Sequence, residues 1–135
     1  VRSAKVAEIR ANPNVNLAFY HAGEEIQVQL SATANVHTDD AYADQAWEAS
    51  SPSSLRAYLA NALSGAVSKT PISGLPAEVE GFLPSRGQVE AGRKNFAAIE
   101  VKVRQIEWLL LSPSGNRRAR FEIEQDAWAG TWLVP

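Results

Sequence analysis

The chain has 135 residues, 45% hydrophobic and 21% charged, the balance of a single globular domain spanning residues 1–135 and not of a disordered tail. Thirteen Lys and Arg against fifteen Asp and Glu leave a net charge of -2, so no global positive field gathers nucleic acid or anionic lipid, and any anion must be caught locally. With no cysteine there is no disulfide, thiolate nucleophile or sulfur-ligated metal, and two isolated histidines do not make a metal site. No apolar run approaches the ~20 residues a membrane span requires, and the opening VRSAKVAEIR is too charged for a secretory signal, so the expectation is a soluble cytoplasmic protein. The absence of methionine at position 1 predicts that residues precede Val1 in the natural chain.

Ser3 is a candidate N-cap for a short helix over residues 3–12, with Val6 and Ile9 on its apolar face and Asn12-Pro13 as its stop. Val15, Leu17 and Phe19 then alternate with polar or small residues and predict a strand over 14–20. After a turn at Gly23, Glu24 and Glu25, six apolar or small residues from Ile26 to Val36 alternate without an error of parity against Gln27, Gln29, Ser31, Thr33 and Asn35. That pattern predicts a long strand with one polar face, as a barrel wall or ligand-facing sheet requires. Thr38 and Asp39-Asp40 predict a cap for a helix to Ala49, and Ser51-Pro52 opens a second helix with Leu55, Tyr58, Leu59 and Leu63 as its stripe.

Residues 64–95 are rich in Gly and Pro at their start and predict a long irregular connection, with one helical turn around Glu78 to Phe82. From Phe96 the pattern is β again, and a slip of parity at Gln105 predicts a bulge. Ser112 to Asn116 reads as a hairpin turn, Arg117 to Glu124 as a strand, Gln125-Asp126 as a tight turn, and Trp128 to Val134 as a last strand with Trp128 and Trp132 on one face. The fold class predicted is mainly β, a β-barrel with flanking helices.

Two cationic clusters stand out. Arg2-Ser3-x-Lys5, at the mouth of the first helix, is either a phosphate trap or a capped, solvated helix start. Asn116-Arg117-Arg118-Ala119-Arg120 puts Arg118 and Arg120 on one strand face, as an anion site or as a charged arm paired with Glu107, Glu122 and Glu124. Gln27 is an amide that can address a heterocycle edge, or simply meets solvent. The four tryptophans read as core or interface filler before stacking platforms, and His21 and His37 as surface residues. No hydrolase constellation or phosphate-binding glycine loop is visible.

The stretches RSAKVAEIRANPNVNLAFY, IQVQLSATANVHTDD with Trp47, and IEWLLLSPSGNRRARFEIEQDAWAGTWLVP together resemble the pyridoxamine 5'-phosphate oxidase-related family of FMN-binding split barrels. The resemblance covers most of the chain outside residues 64–95 and rests on the order Arg-Ser-x-Lys, Asn-Pro, a Gln-bearing long strand, Arg-x-Arg-Phe and a closing Trp-x-x-x-Trp-Leu-x-Pro. It implies a split barrel whose first strands either lie upstream of Val1 or are absent in a cut-down barrel, and a homodimer with FMN at the subunit interface. It assigns Arg2, Ser3 and Lys5 to the FMN phosphate, Gln27 to the flavin ring, Arg120 to the cofactor, and Trp108 or its neighbour Leu109 to a tryptophan position.

The resemblance departs on the substrate side. Asn116 and Arg118 stand where the vitamin B6 oxidases carry an Arg and a His, Ser54 matches a substrate-side serine, and Arg56 has no assignment. The expected function is therefore an FMN-binding oxidoreductase with a small-molecule substrate that is not pyridoxamine 5'-phosphate, its catalytic residues unassigned. The alternative is a flavin- or tetrapyrrole-binding module without turnover.

Overall fold

A computed structural model describes residues 1–135. In chain order it holds helix α1 (Ala4–Ala11), strands β1 (Asn14–His21) and β2 (Ile26–His37), helices α2 (Ala41–Ala49) and α3 (Pro52–Leu55), helix α4 (Arg86–Val89), and strands β3 (Ala98–Leu110), β4 (Arg117–Glu124) and β5 (Ala127–Leu133). Short 3-10 segments extend α3 over Arg56–Leu59 and α4 over Glu90–Asn95. The chain forms two compact units, one of residues 1–11 and 36–100, the other of residues 12–35 and 101–135. No helix is long and apolar enough to cross a membrane.

The first unit is helical and is built on Trp47, Leu55, Val89, Phe96 and Ala98, with Ala46, Tyr58 and Leu59 packed against them. Trp47 is 2% exposed and meets Phe96 edge-on at 5.3 Å between ring centroids, while Tyr58 meets Phe96 at 5.0 Å. Edge-to-face pairs of this kind add to the burial of area itself. The Arg86 guanidinium lies 5.5 Å from the centre of the Trp47 ring and donates to the Trp47 and Ser50 carbonyls, so one side chain closes the end of α2 and ties it to α4. Gly92 is needed by this packing, because a Cβ there would stand 3.1 Å from Tyr58 Cβ and 3.2 Å from the Tyr58 carbonyl carbon.

Several sequence expectations change in this unit. The helical stripe expected to run from Leu55 to Leu63 ends at Leu59, and Leu63 is exposed, because Asn61 N–H turns away to the Gly74 carbonyl at 2.8 Å. The connection expected over 64–95 stops short, since residues 86–95 are helical. Ser85 Oγ accepts from Gln88 N–H while Gln88 Oε1 accepts from Ser85 N–H, a reciprocal cap that starts α4 and delivers Val89, fully buried, to the core. The single turn expected near Glu78 is present as a pair of bonds from Val79 and Glu80 N–H to the Pro76 carbonyl.

The second unit carries an antiparallel sheet with strands in the order β1-β2-β3-β4-β5, not closed on itself. β1 and β2 pair without interruption from Asn14–Thr33 to His21–Ile26, as their unbroken alternation predicts. β4 and β5 pair from Arg118–Leu133 to Glu124–Ala127 around Gln125 and Asp126, whose φ angles of 48° and 64° are both left-handed, the geometry a two-residue hairpin turn needs. The ladder between β3 and β4 runs unbroken from Gln105–Glu122 to Leu110–Arg117. The change of parity expected as a bulge at Gln105 therefore falls where this ladder begins and not within it.

His37, expected on the surface, is half-buried in the helical unit: its Nδ1 lies 2.8 Å from Asp40 Oδ2, its Nε2 lies 3.7 Å from Glu100, and its ring stacks on Tyr42 at 4.3 Å. Asp40 is the N-cap of α2 and accepts from Ala43 N–H at 2.9 Å. That bond, followed by the contact with His37, holds the Asp40 carboxyl below its ordinary range. A depressed carboxyl stabilises the fold fully above its unfolded pKa and loses that contribution as pH falls through the folded value. Asp40→Ala is expected to lower Tm by a few degrees at pH 7, with the gap to the unmodified protein narrowing below about pH 4, as thermal melts across pH would show.

Candidate functional site

α1 owes its helix to the apolar pair Val6 and Ile9, both buried, and its end to the proline two residues after Ala11. The Ser3 carbonyl accepts from Val6 and Ala7 N–H, whereas its hydroxyl takes no part in capping, contrary to the N-cap expectation. The first turn holds no acidic residue but does hold Lys5, so two like charges, Arg2 and Lys5, sit at the positive end of the helix dipole. Such an arrangement is unfavourable until an anion arrives.

Arg2, Ser3 and Lys5 line one cavity of about 900 Å³ within the helical unit, together with Tyr58, Ala60 and Asn95. Its far wall is the loop over 62–74, closed at its base by the bond from Asn61 N–H to the Gly74 carbonyl. One Arg2 N–H donates to the Ala60 carbonyl at 2.7 Å, which fixes the guanidinium at the rim and leaves its other donors for a ligand. The free first-turn N–H groups, a free hydroxyl, a fixed guanidinium and an ammonium fit a phosphate. The wall residues were not legible in the sequence, because the loop that supplies them has no periodicity.

In the sheet unit the register decides what β3 and β4 present. Arg120 stands opposite Glu107 and Arg118 opposite Leu109, so both arginines share the face carrying Glu107. Arg118 Nη2 contacts Glu107 Oε2 at 2.5 Å and Arg120 Nε lies 3.4 Å from Oε1, while Gln105 Nε2 donates to Oε1 at 3.2 Å. The bond from Arg118, with the nearby Arg120 charge behind it, holds the Glu107 carboxyl below its ordinary range against partial desolvation. Of the two sequence readings of this cluster the pairing with a glutamate is present, through Glu107 and not Glu122 or Glu124, and donors remain on both arginines.

Trp108 stands opposite Ala119, and Ala119 opposite Trp132, on the other face of the same strands. The position that shares the arginine face is Leu109, so Trp108 and Arg120 do not address one ligand from one side of this sheet. Trp108 instead meets Trp132 edge-on at 6.3 Å, above a shallow apolar pocket with Phe121 beside it and Gly130 beneath. Gln27 lies half-buried on β2 opposite Tyr20, on the face that bears the bond from Ser31 Oγ to Asn16.

The substrate-side candidates are differently employed. The Ser54 hydroxyl lies 3.0 Å from the Ser51 hydroxyl in the cap of α3, outside the cavity that holds Arg2 and Lys5. Arg56 donates to the Phe82 carbonyl at 2.7 Å and anchors the long connection. Asn116 Oδ1 accepts from Ser112 N–H at 3.0 Å and closes the β3–β4 turn, and Arg117 binds the carbonyls of Gly115 and Asn116 on the face opposite Arg118.

No protein-family model and no curated protein matches the sequence. Among solved structures the fold is that of a pyridoxamine 5'-phosphate oxidase-related, FMN binding protein from Nostoc punctiforme, with a TM-score of 0.69 at 17% identity over 99% of this chain and 69% of that one. PhzG from Burkholderia lata, solved in complex with tetrahydrophenazine-1-carboxylic acid, is similar with a TM-score of 0.67 at 17% identity, over 99% of this chain and 65% of that one. The fold resemblance expected from the sequence motifs is thus present in three dimensions. The chain spans about two thirds of the length of either neighbour.

Proposed function

We propose that this chain is an FMN-dependent oxidoreductase of the split-barrel type, acting as a homodimer on a small anionic substrate. The observation that carries the reading is the cavity at the mouth of α1, where Arg2, Ser3 and Lys5 converge without an acidic residue in the first turn. A fold shared with an FMN binding protein agrees with it. In this reading Arg2 and Lys5 hold the cofactor phosphate, with the Ser3 hydroxyl and the first-turn N–H groups completing its shell, and Gln27 and Arg120 keep the ring-system role that the family resemblance assigns them. The flavin, when bound, supplies the electron transfer. Arg118 gives the substrate a fixed cation, and Ser54 takes a substrate-side role only by leaving its cap. PhzG was solved with a ring carboxylate, and a carboxylate is a group that a fixed guanidinium receives well.

The phosphate assignment is tested by comparing FMN with riboflavin. Lys5→Ala and Arg2→Ala are each expected to weaken FMN by about 1.5–3 kcal/mol, roughly 10- to 150-fold in Kd, and riboflavin far less, in titrations by flavin fluorescence quenching. Equal losses for both ligands would remove the assignment. A yellow protein that bleaches with reduced nicotinamide or an amine supports the enzyme, whereas one inert to every donor is the binding module.

Asn116 is committed to its turn and Arg118 cannot change charge near neutral pH, so the pair supplies no proton relay where the B6 oxidases place an Arg and a His. The FMN-loaded protein is expected to show negligible hydrogen peroxide release and no pyridoxal 5'-phosphate absorbance when given pyridoxamine 5'-phosphate. Robust turnover would contradict this.

A partner is supported by the sheet and not by the helices. The apolar stripe of α2 is spent on the Trp47 core, but Phe121, Ile123, Trp128 and Trp132 stand exposed on one face of β4 and β5, Trp132 at 73%. Light scattering is expected to report twice 14.6 kDa, and Trp132→Ser to shift the population toward monomer. A monomer at all concentrations would refute the homodimer.

A further inference from the structure

Resting on the reading of Arg118 as the substrate's cation, we propose that Glu107 is a positioning residue that fixes the direction and halves the charge of the Arg118–Arg120 pair, so that this face receives a monoanionic carboxylate in preference to a dianionic phosphate.

Three features carry the inference. The first is division of labour at the carboxylate. Its two oxygens are used separately, Oε2 by a hydrogen bond from Arg118 and Oε1 by one from Gln105, with the buried Arg120 Nε 3.4 Å from Oε1 as an ion pair without a hydrogen bond, so one edge of Arg118 is fixed and Arg120 is drawn to the same carboxylate. The second is exposure. Glu107 is 19% exposed and each arginine 38%, which puts the glutamate beneath and the unused guanidinium edges toward solvent. The third is local charge. Two guanidinium groups and one carboxylate leave a single net positive charge. The further charges on the same face of β4, Glu122 and Glu124, lie two and four residues beyond Arg120 and are exposed; both are acidic, so they lower the positive field further and oppose a dianion more than a monoanion. A dianion here would carry one charge uncompensated and would face the Glu107 carboxylate, whereas a carboxylate is matched. Without Glu107 the same two arginines would repel one another and present two charges to a ligand.

The test is isothermal titration of the full chain with benzoate and, at pH 8, with phenyl phosphate, counting as site binding only what is lost in Arg118→Gln. That subtraction removes phenyl phosphate bound at Arg2 and Lys5. The unmodified protein is expected to bind benzoate at least as tightly as phenyl phosphate at this site. Glu107→Gln is expected to move the ratio toward phenyl phosphate by about tenfold, between the roughly threefold of bulk water and the roughly hundredfold of an effective dielectric near 20 for one unit charge at about 6 Å. Glu107→Asp keeps the charge but shortens the reach, and is expected to weaken both probes with the ratio unchanged.

A ratio in Glu107→Gln within about twofold of the original, with binding still lost in Arg118→Gln, would overturn the role of Glu107 and leave Arg118 as the anion site. Probe binding that is unaffected by Arg118→Gln, or absent from the unmodified protein, would overturn the reading of Arg118 on which it rests. Circular dichroism of each variant controls for folding. If Glu107→Gln does not fold, folded Glu107→Asp decides the matter, since undiminished affinity for both probes in that variant refutes positioning.

Discussion

The burial of Trp47 is the constraint on which the helical unit depends. Its ring is the largest fully buried side chain, and Phe96, Tyr58 and Arg86 are arranged around it from three separate segments. Its indole N–H has no hydrogen-bond partner, so the site is held by ring packing and by the overlying guanidinium, not by a polar anchor. The candidate phosphate cavity inherits this arrangement. Tyr58 lines it, Asn95 lines it, and Asn95 Nδ2 donates to the Tyr58 carbonyl at 2.8 Å. The rim that faces Arg2 and Lys5 is thus an extension of the aromatic core, and a change at Trp47 would be felt at the cavity without touching it.

In the sheet unit the corresponding constraint is register. One residue of slip between β3 and β4 would exchange Trp108 for Leu109 on the arginine face and break the contact of Glu107 with both arginines. The Asn116 side chain opposes it by closing the turn on Ser112, while the tight turn at Gln125-Asp126 sets β4 against β5. A charged cluster on one face and an aromatic row on the other are therefore consequences of the same hairpins.

Much of this was legible in the sequence where a single element determines its own pattern. The strict alternation from Ile26 to Val36, the Val6 and Ile9 pair, and the Asp40 cap each depend on local spacing, and each element lies where that spacing puts it. What depends on a partner was not legible. Whether Trp108 or Leu109 shares a face with Arg120 is decided by the pairing of β3 with β4, which one strand alone does not contain. The helix at Arg86 carried a readable signal in Ser85-x-x-Gln88, but the Gly and Pro before it masked a helix of one turn. The cavity wall over 62–74 has neither periodicity nor charge pattern, and only tertiary structure brings it to Arg2 and Lys5.

The open end of the sheet bears on how the protein behaves in concentrated solution. β5 is an edge strand, and Ala127–Leu133 reads AWAGTWL, without a lysine, a proline or any charge to deter another strand. Its outer row of backbone N–H and C=O groups, flanked by Trp128 and Trp132, is a template for β-pairing between molecules. Colloidal stability then depends on what covers this edge, and a lysine introduced at Ala129, opposite Glu122 and on the face away from the tryptophans, would act as a gatekeeper against aggregation.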